Sequence, residues 1–127
     1  MGRKEEDVDN LKVDELEIVV EEGSPARIKW LGTSQLENPT SQLSPFFEDL
    51  AKKLQGGTAI VDFCELERMN SATVLAIINL CRTFDNKEIQ TQVRYDKSSD
   101  WQAVTFEGIS TLSRVMKHIT VEPKQKQ

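Results

Sequence analysis

Ala59-Ile60-Val61-Asp62-Phe63-Cys64 is a short, nearly continuous apolar run. A central strand covered on both faces reads this way. After a short loop, Glu65 to Asn70, comes a segment in which Val74, Leu75, Ile77, Ile78, Leu80, Cys81 and Phe84 are apolar almost all round. That pattern predicts the best-buried helix of the chain, ended by Asp85-Asn86-Lys87. Ile89, Thr91, Val93 and Tyr95 then alternate with polar neighbours and predict another strand. A buried strand, a buried helix and a further strand in that order imply parallel strands joined by a crossover.

The flanks extend the pattern. Leu16, Ile18 and Val20 alternate with glutamates, Glu22-Gly23-Ser24-Pro25 signals a turn, and Ala26 to Leu31 follows with Ile28 and Trp30 on one face. This predicts an antiparallel hairpin. Gly32 to Pro39 reads as a polar loop, with Leu36 inside it. Leu43, Phe47, Leu50, Ala51 and Leu54 recur at helical spacing in a helix that begins between Pro39 and Pro45; Ser44-Pro45 suits a cap and first turn and Gly56-Gly57 the end. Ser98-Ser99-Asp100 is a capping cluster for a third helix, with Trp101, Val104, Thr105 and Phe106 expected inward and Gly108 as the stop. Ile109, Leu112, Val115 and Met116 suggest a further helical piece, and Ile119 and Val121 a last edge strand. The expected fold is α/β, one domain over 14–122, with a mixed, largely parallel sheet, an N-terminal antiparallel hairpin and helices packed on it. Residues 1–13 are expected to be a loose acidic leader and 123–127 a polar tail.

Charge narrows the function classes. Residues 1–22 hold 9 of the 21 acids and 3 of the 16 bases, whereas the rest holds 12 and 13. The body is nearly neutral and shows no basic stripe, which argues against binding nucleic acid. A membrane span needs roughly 20 apolar residues, and the longest aliphatic run is Val74-Leu75-Ala76-Ile77-Ile78. The first residues turn acidic where a signal peptide turns apolar, and Cys64 and Cys81 sit in apolar stretches. A cytoplasmic protein with reduced thiols and no direct membrane insertion is expected.

Signals for catalysis are sparse. There is one histidine, His118, and no G-x-S-x-G, Walker A or G-x-G-x-x-G pattern occurs. Two distant thiols and one histidine are too few for a metal site. No enzyme, cofactor or metal is expected. Trp30 and Trp101 read as packing residues, and of the adjacent Phe46 and Phe47 only one fits a narrow buried stripe. The informative segment is the junction running from Asp62 to Thr73. In a parallel sheet it lies at the carboxyl ends of the strands, where α/β folds place their sites. Asn70 and Ser71 both suit a helix cap. Ser71 would also present its hydroxyl among free backbone N–H groups, where a phosphate is favoured. Cap and phosphoacceptor are both open readings at this point.

These segments together resemble a STAS domain, the module of anti-sigma-factor antagonists, from about Leu16 to Val121. A hairpin leads to a Gly-containing loop with Leu36; a helix and Gly-Gly follow. Ile60-Val61-Asp62-Phe63 is similar to the family's strand, and Leu66 and Met69 take its apolar loop positions. Asn70-Ser71-Ala72-Thr73 stands where the family has acidic-Ser-Ser/Ala-Gly, and Phe106-Glu107-Gly108-Ile109 resembles its ending. Two departures are visible: Asn70 replaces the acid, and Thr73 puts a β-branched side chain where a partner backbone would approach. The resemblance implies a non-enzymatic switch. It would dock on an anti-sigma factor that is also a serine kinase, be phosphorylated at Ser71, and be restored by a phosphatase. Its docking surface would comprise Asn70, Ala72 and Thr73, bordered by Thr33, Ser34 and Gln35, with Arg68 available to a phosphate. Other family members are constitutive accessory subunits, for example of lipid-transport ATPases, or sit in signalling complexes without a phosphorylation cycle.

Overall fold

The computed structural model describes residues 10–124. Among them the chain forms β1 (Leu11–Val13), β2 (Leu16–Glu21), β3 (Ala26–Ser34), α1 (Pro39–Leu54), β4 (Thr58–Asp62), β5 (Leu66–Met69), α2 (Ser71–Asn86), β6 (Gln90–Tyr95), α3 (Asp100–Ser113) and β7 (Ile119–Pro123). One sheet holds them in the order β1-β2-β3-β4-β6-β7, with β5 paired to β3 off that path. The β1–β2 and β2–β3 pairs are antiparallel; β3–β4, β3–β5, β4–β6 and β6–β7 are parallel. The α/β class, the opening hairpin and the largely parallel sheet are as the sequence leads one to expect.

Alternation decides which face is covered. Ile18 pairs with Trp30, Ile28 with Val61, Val61 with Val93, and Val93 with Val121, so these side chains share one face. All but the half-buried Val121 are fully buried, in one core with Leu43, Phe47, Leu50 and Ala51 of α1, Ile77, Leu80 and Phe84 of α2, and Phe106 and Ile109 of α3. Across this core Trp30 stacks on Phe47 at 5.8 Å and meets Phe63 at 4.8 Å, and Phe63 meets Phe106 at 4.9 Å. The opposite face carries Lys29, Asp62, Arg94 and Glu122 in register, with Lys29 paired to Glu21 at 3.4 Å.

Several elements differ from the sequence reading. Leu11–Val13 is a strand rather than part of a loose leader, because it adds to the hydrogen-bonded edge of β2; residues 1–9 and 125–127 lie outside the described residues. β3 runs on to Ser34, passing through an irregularity at Gly32, where a loop was expected. The stretch Glu65–Asn70 is not all loop, since Leu66–Met69 pairs with that extension. Helix α1 begins at Pro39 behind Asn38, at the early edge of the expected range, so Ser44-Pro45 is not its cap: Pro45 lies inside it, at the loss of one N–H donor. Helix α3 passes through Gly108 and continues to Ser113; its buried residues are Gln102, Phe106, Ile109 and Ser113, while Val104 is exposed.

Candidate functional site

The long strand β3 builds the carboxyl rim of the sheet. Its first half pairs with β4, and beyond Gly32 it pairs with β5, matching Thr33 to Arg68 and Ser34 to Met69. β5 therefore delivers Asn70 and Ser71 to the tip of β3. Gln102, almost wholly buried, fixes the connection from inside. Its Nε2 donates to the carbonyls of Phe63 (2.7 Å) and Leu66 (3.1 Å), and its Oε1 accepts from the backbone N–H of Asp96 (2.8 Å). A lone glutamine in a helix gives no sequence signal of this role.

The first turn of α2 is locked to β3 by side-chain hydrogen bonds. Asn70 Oδ1 accepts from the Thr73 backbone N–H (3.0 Å) and hydroxyl (2.6 Å), which caps the helix. Asn70 Nδ2 donates to the Leu36 carbonyl (2.9 Å), and the Asn70 backbone N–H donates to the Ser34 carbonyl (3.0 Å). The Thr73 hydroxyl proton is committed to Asn70, so the 2.7 Å contact to Ser34 has the Ser34 hydroxyl as donor. Ser34 and Thr73 are both fully buried. They are withdrawn from the expected docking set: their hydroxyls satisfy each other beneath the surface and shape it from below. Thr73 therefore does not obstruct an approaching backbone.

What remains outside is Ser71, exposed at the first helical position, with Arg68 and Gln35 exposed and Thr33, Asn70 and Ala72 half-buried. The backbone amides of Ser71 and Ala72 have no acceptor among the described residues, since the cap takes the Thr73 amide. One turn further along the same side, Leu75 is 65% exposed. The sequence places Leu75 in an all-round apolar helix; only the packing shows that it points outward, where it enlarges the Ser71 surface with an apolar anchor.

Asn70 explains the departure from an acid at this position. Its amide must donate to a carbonyl, which a carboxylate cannot do. Because Asp caps helices about as well as Asn, Asn70→Asp isolates that one contact. It is expected to cost about 1–2 kcal/mol, read as a lower urea midpoint at unchanged slope. A neutral or stabilising result would show that the contact to Leu36 does not hold the turn.

Of the other chemistry-bearing residues, Cys64 follows the carboxyl end of β4, Cys81 is buried in α2 and His118 precedes β7. Burial, reinforced by the hydrogen bond and charge of Asp62, pushes the Cys64 thiol up to about 12, and burial with the charge of Asp85 does the same to Cys81. Both are protonated thiols, unsuited to nucleophilic attack. At the opposite rim His118 donates its backbone N–H to Asp85 Oδ1 at 2.8 Å and sets Nδ1 at 2.8 Å from the same oxygen. Burial alone would raise the Asp85 carboxyl, but the hydrogen bonds and charge of His118 hold it below its ordinary value. A shallow depression of about 550 Å³ there is lined by Ser24, Thr58, Gln90, Lys117 and His118 among others. Among the described residues no group of three or more His, Cys, Asp or Glu is placed to hold a metal ion, and no helix is long and apolar enough to cross a membrane.

No family model matches the sequence, and no curated protein matches it. The structure is similar to a chain from the crystal structure of the diguanylate cyclase SiaD in complex with its activator SiaC from Pseudomonas aeruginosa. The TM-score is 0.60 over 91% of this chain and 98% of that one, at 12% identity. It is also similar to a protein of the DUF3478 family from Shewanella loihica PV-4, described as having a SpoIIAA-like fold. There the TM-score is 0.56 over 92% of this chain and 91% of that one, at 14% identity. Identities this low carry the fold and leave residue roles to be argued from this chain alone. A largely parallel sheet opened by an antiparallel hairpin, with helices packed on it, is thus the SpoIIAA-like fold, the fold of STAS-type anti-sigma-factor antagonists.

Proposed function

We propose that this chain is a non-enzymatic cytoplasmic regulator that docks on a protein partner through the surface around Ser71 and is released when Ser71 is phosphorylated. One observation carries the reading: an exposed serine stands at the start of a helix whose inner face is buried and whose first turn is locked from beneath. Phosphate adds about -1.5 to -2 charge. The free amides of Ser71 and Ala72 and the positive end of α2 favour it there, and Arg68 is exposed just upstream. The added charge then changes the surface without melting the helix. That a structure sharing this fold is a complex between a cyclase and its activator supports a protein as the partner class. A serine kinase that is itself the docking partner, opposed by a phosphatase, completes the cycle.

Affinity capture with the wild-type chain as bait, followed by phosphosite mapping, tests the proposal. The captured kinase with ATP is expected to modify Ser71; modification confined to other residues removes the switch. Ser71→Asp is expected to weaken capture at least tenfold, about 1.4 kcal/mol, while Ser71→Ala preserves it. Equal capture by both would instead assign a constitutive accessory subunit. Leu75→Asp is expected to weaken capture by a similar factor with no loss of thermal stability, because Leu75 makes little contact with the core.

A further inference from the structure

Helix α3 carries two apolar stripes. One, with Phe106 and Ile109, packs into the core. The other points away from it: Val104 is 76% exposed, Leu112 51%, and Val115, just past the helix end, 87%. Trp101, half-buried and packed in part against the core, stands at the head of this outer stripe, and exposed Gly108 at its middle. Residues 101, 104, 108 and 112 keep to one side of the helix, and Val115 follows just beyond its end.

Gly108 is the second observation. A Cβ at this position would meet nothing within 4 Å, and the backbone there is ordinary helix. Glycine is the poorest helix former after proline, and nothing inside this chain requires it. A missing Cβ on an outward face lets another backbone come close. Charge is the third observation. Asp100 opens the helix and Arg114 closes it, and neither forms an ion pair among the described residues. Asp100 and Arg114 lie on the same flank of the stripe.

We infer that the outer stripe of α3 is a homodimer interface, in which two copies pack α3 against α3, antiparallel, across a two-fold axis at Gly108. The spacing is reciprocal about that residue. Val104 of one copy lies over Leu112 of the other, and Trp101 lies over Val115. The same operation brings Asp100 of each copy to Arg114 of the other, whereas parallel packing would set like charges together. A two-fold contact requires such self-complementarity; a different partner does not. One helix pair covers less than the roughly 800 Å² per partner of a standard stable interface. The dimer is therefore weak, dissociating on the order of 10–100 μM.

Sedimentation of the full chain across that concentration range reads the equilibrium. The wild type is expected to pass from monomer to dimer, and Leu112→Glu to stay monomeric at an unchanged thermal midpoint. Gly108→Ala separates this interface from a structural role: it is expected to raise the midpoint of the dilute protein by about 2–5 °C while weakening the dimer at least tenfold. Arg114→Glu is expected to weaken the dimer, and Asp100→Arg combined with Arg114→Glu to restore it. A wild type that stays monomeric throughout, a dimer untouched by Leu112→Glu, or a dimer strengthened by Gly108→Ala overturns the inference.

Discussion

Gly32→Ala is expected to destabilise the protein by about 3 kcal/mol or more, enough to leave a domain of ordinary stability partly unfolded. Gly32 has φ +86°, in the left-handed region, and a Cβ there would lie 2.1 Å from the Glu15 carbonyl oxygen. That carbonyl belongs to the turn joining β1 to β2, and it accepts the Thr33 N–H at 3.1 Å, so it cannot retreat without losing a sheet bond. Just past this residue the pairing of β3 with β5 shifts register, and the Ser71 rim is built on that pairing. Equilibrium urea unfolding measures the loss. A midpoint within error of wild type would mean that the backbone at Gly32 is not constrained in solution as described.

The second large effect is expected at Gln102. Gln102→Glu removes both donors and faces a buried carboxylate with the carbonyls of Phe63 and Leu66. Each unsatisfied buried group costs about 1–3 kcal/mol, and more where charge is involved. A total loss of about 3 kcal/mol or more is expected at neutral pH. Gln102→Leu, which keeps the bulk but abandons all three backbone partners, is expected to lose about 2–4 kcal/mol. Both are read from urea midpoints. Losses below about 1 kcal/mol for both variants would show that the link between β4 and β5 is held by other contacts.

These two residues also mark the boundary of what sequence can show. The strand Thr58–Asp62, the hairpin and α2 were legible because burial writes itself as an apolar pattern. β5 was not. Its Glu67 and Arg68 are exposed, and its partner β3 lies more than thirty residues away, so no local pattern marks it as a strand. In α3 the outward Val104 and Leu112 outweigh an inward stripe that contains Gln102 and Ser113, so apolar periodicity assigns the wrong side. The start of α1 was legible only as a range from Pro39 to Pro45, because Ser44-Pro45 repeats, one and a half turns later, the signal that Asn38-Pro39 supplies.

The rim divides in the same way. Asn70 and Ser71 announce a helix start from their residue types alone. That Ser34 and Thr73 lie wholly inside does not show, because two hydroxyls that satisfy each other leave no hydrophobic trace. Leu75 fails for the opposite reason: an apolar residue within an apolar helix looks buried until its neighbours are known.

The cross-links among Ser34, Leu36, Asn70 and Thr73 have a thermodynamic corollary. A protein docking there as proposed would meet a turn whose conformational freedom was surrendered when the chain folded, so complex formation would carry little ordering entropy. On the proposed function, docking is therefore close to rigid-body on this side, and its heat-capacity change reflects only the apolar area covered.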